Sequence, residues 1–204
     1  MTAPLVIVDY GVGNLHSAQK AFEHLGQPAL VSSDAEQIAS APAVVLPGQG
    51  AFGTCMENLA RADLIEPVRA AALSGRPFLG ICVGMQLLFE ESEESPGVPG
   101  LGIFAGRVVR FPRDPDLKVP HMGWNQLHVR KPAPHLADLP AEPAVYFVHS
   151  YYVVPRDKTI IAAETDYPTP FTSVIWQDNV FATQFHPEKS QKVGLAMLRK
   201  FAEA

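Results

Sequence analysis

Cys82 is flanked by Gly80 and Gly84 in the run RPFLGICVGMQLLFEES (76–92), between a short apolar stretch and an amphipathic one. The pattern G-x-C-x-G has the form of a nucleophile elbow with cysteine in place of serine. A sharp strand-to-helix turn strains its central residue and crowds the neighbouring backbones, so only residues without Cβ fit on either side. The sulfur would stand beyond the carboxyl edge of a sheet, where open α/β folds bind ligands. A helix N-terminus there would favour the thiolate. The competing reading is a small buried hydrophobe, the usual state of a free cysteine.

A thiolate nucleophile needs a proton carrier, and QFHPEKS (184–190) offers one. If the chain stays extended there, His186 and Glu188 lie two residues apart and point the same way. Glu188 would then hold the imidazole in one tautomer and stabilise its charged form, which is triad logic in the order Cys, His, Glu. Otherwise the segment is a surface strand end with an incidental His and Glu. A zinc site from Cys82, His186 and Glu188 lacks a second close-spaced ligand pair, so no metal is expected. Acyl chemistry also requires donors for an oxyanion. The Val83 N–H, one past the nucleophile, is one candidate. The glycine-rich LPGQGAFG (46–53) offers a second at Gly50, unless it is an ordinary βα turn.

These groups need elements to position them. PLVIVDY (4–10), PALV (28–31), APAVVLPG (41–48) and RPFLGIC (76–82) read as strands. Leu15, Ala18, Phe22 and Leu25 share one helix face, with Gly26 at the C-cap. One or two helices fit between Phe52 and Leu73, interrupted near Arg61–Asp63 and Pro67. GMQLLFEES (84–92) reads as the helix after the elbow, and Glu90, Glu91, Glu93 and Glu94 as its solvated end. Alternating strands and helices predict an α/β fold with a mostly parallel sheet flanked by helices. Beyond the Pro/Gly-rich connector 90–102, short β-like runs predict additional antiparallel strands: GRVVRF, WNQLHV, AVYFVHSYYVV, TIIAAET, TSVIWQ and VFATQF. A last helix runs from Gln191 to Phe201, with Ser190 as N-cap. VDYGVGNLHS (8–17) has His16 where a dinucleotide fingerprint needs its third glycine, and Asp34 is a poor ribose-binding acid, so that reading is set aside.

The chain has 204 residues, 47% of them hydrophobic, which fits a single domain, 1–204, with a full core. Net charge is −5 and no long basic run occurs, which argues against nucleic acid as the main partner. MTAPLVIVDY reads as a first strand, not a signal peptide. No apolar run approaches the roughly 20 residues of a membrane span. Two cysteines, Cys55 and Cys82, make no disulfide framework, which places the chain in a reducing cytoplasm.

Together, PGQGAF, GICVGMQLLF and QFHPEKS resemble the class I, triad-type glutamine amidotransferases in order and spacing. DYGVGN, PHMGWN (120–125), YFVHSYY (146–152) and the KS after HPE resemble in particular the glutaminase subunits of imidazole glycerol phosphate synthase. The resemblance spans residues 5 to about 200 and rests on several separate motifs. Val83 stands where leucine is usual and Gln49 where valine is common; both positions contribute mainly backbone.

The resemblance implies a three-layer fold and hydrolysis of L-glutamine to glutamate and ammonia. Cys82 would form a glutamyl thioester, His186 would shuttle the proton and Glu188 would orient His186. Gln86, Ser150 and Tyr151 would hold the substrate. Ammonia would pass to a (β/α)8-barrel cyclase subunit in a heterodimer of L-histidine biosynthesis, with no metal or organic cofactor in this chain. A docking face is expected around Met122 and Trp124, with Asn14, Tyr146 and Lys189 as weaker candidates, although Trp124 also suits an ordinary core. Glutaminases of other synthases, a free-standing cysteine hydrolase and a non-catalytic binding module are the alternatives.

Overall fold

Leu5, Val6, Ile7 and Val8 are all buried, as a strand covered on both faces requires. The computed structural model describes residues 3–204 apart from 114 and 116. The first half alternates β1 (Leu5–Val8), α1 (Leu15–His24), β2 (Ala29–Ser32), α2 (Ala35–Ser40) and β3 (Val44–Gly48). Then follow α3 (Phe52–Arg61), α4 (Ile65–Leu73), β4 (Phe78–Cys82) and α5 (Val83–Gln86). The helix stops follow local chemistry. Gly26 adopts φ 77° and its N–H bonds Glu23, closing α1. The Asp34 carboxylate accepts the N–H groups of Glu36 and Gln37 and caps α2. Pro67 does not interrupt anything: it occupies the first turn of α4, where its missing N–H costs no hydrogen bond.

The second half is mostly strands: β5 (Phe89–Ser92), β6 (Phe104–Arg110), β7 (His121–Gln126), β8 (His128–Val129), β9 (Ala144–His149) and β10 (Tyr151–Pro155). It continues through β11 (Ile161–Asp166), β12 (Pro170–Gln177) and β13 (Val180–Thr183) to α6 (Gln191–Ala202). Among the described residues, the main sheet runs β2-β1-β3-β4-β13-β12-β10-β6-β5, with β11 and β8 attached through β12. The block from β2 to β13 is parallel; β12, β10 and β6 are antiparallel additions. β7 and β9 form a separate antiparallel pair. Strand order reverses about β1, and right-handed crossovers then place successive helices on opposite faces. Accordingly α1 packs on α6, through Phe22 and Phe201, while α4 packs on α2 and α3. This is the three-layer α/β fold expected, with antiparallel strands in the C-terminal half.

Three local expectations are corrected. The helix after the elbow is only four residues long, not nine. Residues 100–104 run alongside and their N–H groups take the carbonyls of Leu87, Leu88, Phe89 and Glu90, so the chain leaves the helix and pairs as β5 with β6. The acidic cluster is therefore not a solvated helix end. Glu94 accepts the Phe52 N–H at 2.8 Å and Ser95 accepts that of Gly53 at 3.0 Å, capping α3, which has no local side-chain cap. Ser190 stands at the N-cap of α6 but caps nothing: its hydroxyl donates to the His186 carbonyl and accepts the Tyr146 N–H.

The elbow is the tightest joint. Cys82 has φ 55° and ψ −113°, a strained conformation for a residue with a side chain. A Cβ on Gly84 would overlap the carbonyl oxygen of Leu46, and one on Gly80 would lie 3.1 Å from the Ala182 Cβ. Gly84→Ala is therefore expected to lower stability by about 3 kcal/mol, the upper range for overpacking. Thermal or denaturant unfolding checks it; a wild-type midpoint would refute the packing argument.

Candidate active site

The carboxyl ends of the parallel strands converge on one cleft. Register sets this: Gly48 on β3 pairs with Cys82 on β4, and Thr183 on β13 pairs with Ile81. The chain leaving β13 thus carries Gln184 and His186 to the sulfur. The cleft is lined by Gln49, Gly50, Cys82, Val83, Gln86, Glu94, Ser150, Tyr151, His149, His186 and Lys189.

Cys82 is buried to 4% exposure, yet its side chain faces this cleft. His186 meets it and turns Nδ1 to Glu188 Oε1 at 2.8 Å. The Nδ1 contact leaves Nε2 for the sulfur. The extended conformation on which the pairing was conditioned does not hold through Glu188. His186 ends the extended chain and Pro187–Lys189 form a 3-10 turn, from which Glu188 reaches back. The turn is pinned where the His186 N–H meets the Tyr146 carbonyl and the Ser190 hydroxyl bonds the His186 carbonyl. Burial alone would lower the imidazole pKa, but hydrogen bonds to Cys82 and Glu188 and their negative charges raise it to about 10. His186 therefore holds a proton at neutral pH, and an imidazolium beside sulfur is the arrangement that activates a thiolate nucleophile.

The proposed oxyanion donors are both at the cleft. Val83 opens α5, so its N–H has no preceding helical carbonyl to bond. Gly50 has φ 90° at the exposed tip of the loop after β3. Gln86 lines the cleft but already uses its amide N–H groups, on the Tyr151 carbonyl at 3.0 Å and Gln184 Oε1 at 3.1 Å. Gln184 in turn points its amide nitrogen at Cys82 Sγ, 3.8 Å away.

Met122 and Trp124 are 62% and 50% exposed on β7, so Trp124 is not a core residue; its ring lies 6.1 Å from Tyr146 across the strand pair. Asn14 precedes α1 at the same sheet edge as Cys82, without capping that helix. Lys189 borders the cleft itself.

Several residues at the site escaped the sequence reading. Glu94 is indistinguishable in sequence from its acidic neighbours. Gln184 carried no motif signal beyond its place before Phe185 and His186. His121 and His149 lie inside PHMGWN and YFVHSYY, but nothing in their spacing announces that they touch. His149 donates from Nδ1 to the Tyr151 carbonyl at 2.8 Å, because a carbonyl can only accept. Its Nε2 therefore accepts from His121 Nδ1 at 3.1 Å, and His121 Nε2 accepts from the Asn125 amide at 3.2 Å. Both rings are neutral in this chain, consistent with pKa values that burial lowers to about 3 for His149 and about 4 for His121. The chain of bonds ends on the Tyr151 carbonyl that also holds Gln86. Among the described residues, no group of three or more His, Cys, Asp and Glu side chains is arranged to hold a metal ion.

Comparison with known proteins bears on this geometry. Residues 6–204 match the family model described as glutamine amidotransferase class-I. The chain belongs to that family. The imidazole glycerol phosphate synthase subunit HisH of Syntrophotalea carbinolica is 54% identical over 98% of this chain and 99% of its own length. The protein of the same name from Geobacter sulfurreducens is 50% identical, with 98% of each chain covered. Among solved structures, a crystal structure described as a glutamine amidotransferase superposes with a TM-score of 0.73 over 98% of this chain and 99% of that one, at 21% identity. A glutamine amidotransferase from Thermotoga maritima gives 0.68 over 100% and 98%, at 15% identity. These two establish the fold alone.

The buried histidines set a pH window. His121, His135 and His149 are held below the ordinary 6.5 by burial, at about 4, 4 and 3. Their contribution is present above pH 6.5 and is lost as pH falls towards 4, because the unfolded chain binds the proton first. His186 has the opposite sign: its contribution is present below pH 6.5 and is lost as pH rises through about 10. His135 stacks on Phe181 at 4.2 Å, away from the cleft, and its Nδ1 has no partner among the described residues. Thermal midpoints measured against pH should fall on the acid side of 6.5, and His135→Phe should flatten that limb. An unchanged slope in the variant would contradict the assignment.

Proposed function

We propose that this chain is a single glutaminase domain that opens the side-chain amide of L-glutamine and delivers ammonia to a cyclase subunit of imidazole glycerol phosphate synthase. The observation that carries this reading is the Cys82–His186–Glu188 array, set at a strained elbow over a polar cleft. The 54% and 50% identity to HisH subunits over nearly full length supports the choice of partner.

The Cys82 thiolate attacks the amide carbon, and the tetrahedral oxyanion is received by the N–H groups of Val83 and Gly50. When the C–N bond breaks, His186 passes its proton to the leaving nitrogen, giving ammonia and a glutamyl thioester. The imidazole, now neutral, takes a proton from water as that water attacks the thioester. Glutamate leaves, the sulfur departs as thiolate, and His186 again holds the proton. Glu188 fixes the tautomer and stabilises the imidazolium without itself taking a proton. Gln86, Ser150 and Tyr151 hold the backbone groups of the substrate. Glu94 adds the carboxylate that an α-ammonium group requires. No metal or organic cofactor enters these steps.

Ammonia in neutral water is mostly ammonium, which cannot attack an electrophile, so the product must cross to its acceptor without meeting solvent. That requires a partner seated on this side of the molecule. We assign the docking face to Met122 and Trp124, with Asn14, Tyr146 and Lys189 beside it. The partner is a (β/α)8-barrel cyclase in a heterodimer, and the ammonia serves L-histidine biosynthesis in the cytoplasm. Among the described residues, no helix is long and apolar enough to cross a membrane.

In a reconstituted complex with the cyclase, Cys82→Ala should abolish glutamine-dependent synthesis and leave ammonia-dependent synthesis intact. Loss of both, or of neither, would overturn the role of Cys82. Glu188→Gln should lower kcat for glutamine about 100-fold or more with little change in KM, since it removes the charge that holds the imidazolium. Trp124→Ala should weaken association by about 2 kcal/mol, roughly 30-fold in Kd by titration calorimetry, if it is the aromatic anchor of the face.

A further inference from the structure

We propose that Gln184 is a further catalytic residue: its side-chain amide donates to the Cys82 sulfur and, together with His186, holds it as the thiolate. Only the consequence for turnover rests on the glutaminase reading above. Gln184 stands one residue past β13 and is fully buried, and its Nε2 lies 3.8 Å from Cys82 Sγ. Its backbone is held as well, since its N–H donates to the Ser173 carbonyl at 2.9 Å.

The direction of this contact is fixed from a distance. A backbone carbonyl can only accept. The Gln86 atom 3.0 Å from the Tyr151 carbonyl is therefore its nitrogen, which donates a second time to Gln184, 3.1 Å away. The Gln184 atom that meets it must be the oxygen, because two amide nitrogens would only oppose each other. That leaves the Gln184 nitrogen on the side of the sulfur. A reversed amide would set an oxygen against the thiolate and leave a Gln86 N–H without an acceptor. The same Tyr151 carbonyl takes the His149 Nδ1–H at 2.8 Å, so the root of the chain has two donors on it.

The two donors at the sulfur do different things. The imidazolium can return its proton to sulfur, which gives an uncharged and unreactive pair. The amide cannot ionise in this way, and its N–H bonds a thiolate more strongly than a thiol. Gln184 thus favours the ion pair of Cys82 and His186 over the neutral pair without ever quenching the nucleophile. The plain alternative is that Gln184 fills buried space and satisfies the second N–H of Gln86.

The test is the rate of alkylation by iodoacetamide against pH in the full chain, with Cys82→Ser as the blank; Cys55 is 0% exposed and shielded from the reagent. Gln184→Met keeps the length of the side chain and removes the donor. The thiolate should lose about tenfold in stability, which moves the acid limb of the profile about one pH unit higher. A less stabilised thiolate is also the better nucleophile, so the alkaline plateau should rise roughly threefold and the two profiles should cross. In the complex with the cyclase, kcat/KM for glutamine should fall about tenfold on the acid limb and recover as pH rises. In the unmutated, isotope-labelled chain, the Gln184 side-chain amide resonances should move over the pH interval of that limb. A limb that does not move up, a profile lowered by one factor at every pH, or amide resonances indifferent to pH would overturn the assignment. A wild-type complex inert toward glutamine would sink the glutaminase reading instead, and the alkylation profiles, which need no glutamine, would still decide the role of Gln184.

Discussion

The structure depends on one close approach of backbone to backbone. Gly84 passes so near the Leu46 carbonyl that no Cβ fits between them, and Cys82 takes a strained φ of 55° to make the turn. That contact locks the end of β4 against β3. The loop after β3 then stands beside the sulfur, and β13, paired on the other side of β4, brings His186 in from the opposite flank. A parallel sheet collects its carboxyl ends at one edge, so three stretches far apart in sequence meet without any needing a long excursion. The strain is affordable because both neighbouring strands are fully buried and cannot relax.

Burial acts on four histidines in the same direction, and their partners decide the outcome. His121, His135 and His149 are held below the ordinary imidazole value because burial strips their solvation and no carboxylate compensates; for His149 the bond to the Tyr151 carbonyl works the other way and is outweighed. His186 is comparably buried but sits between a carboxylate and a sulfur, and it keeps its proton. The contrast is sharpest between His149 and His186, which line the same cleft in opposite charge states. The neutral, hydrogen-bonded pair forms one wall of the cleft and the protonated imidazole another. Each needs the other's environment to differ from its own.

What the sequence disclosed follows the range of the forces involved. The elbow, the strand–helix alternation and the His186–Glu188 pair were legible because each is settled by neighbours within a few residues. The length of α5 was not, since residues 100–104 take the carbonyls of Leu87, Leu88, Phe89 and Glu90 just beyond it. Nor was the capping of α3 by Glu94, 42 residues from the N–H it accepts, which made a purposeful carboxylate look like one of a solvated group. Ser190 marks the start of α6 but does not cap it, because Tyr146 and His186 claim its hydroxyl first. In the HPE segment the pairing does not need extended chain: Pro187 starts a 3-10 turn, and the carboxylate reaches the ring all the same.

Strand β7 alternates two kinds of residue along a single thread. His121 and Asn125 face inward to the hydrogen-bonded chain that ends at Tyr151, while Met122 and Trp124 face outward. Pleating separates these two vocabularies by a single residue step. Outward positions can change without disturbing the hydrogen-bonded chain beneath, while inward ones are held by their bonds, so the two faces are free to diverge at different rates. For protein engineers, this strand is a natural place to redraw the surface without touching the bonded interior.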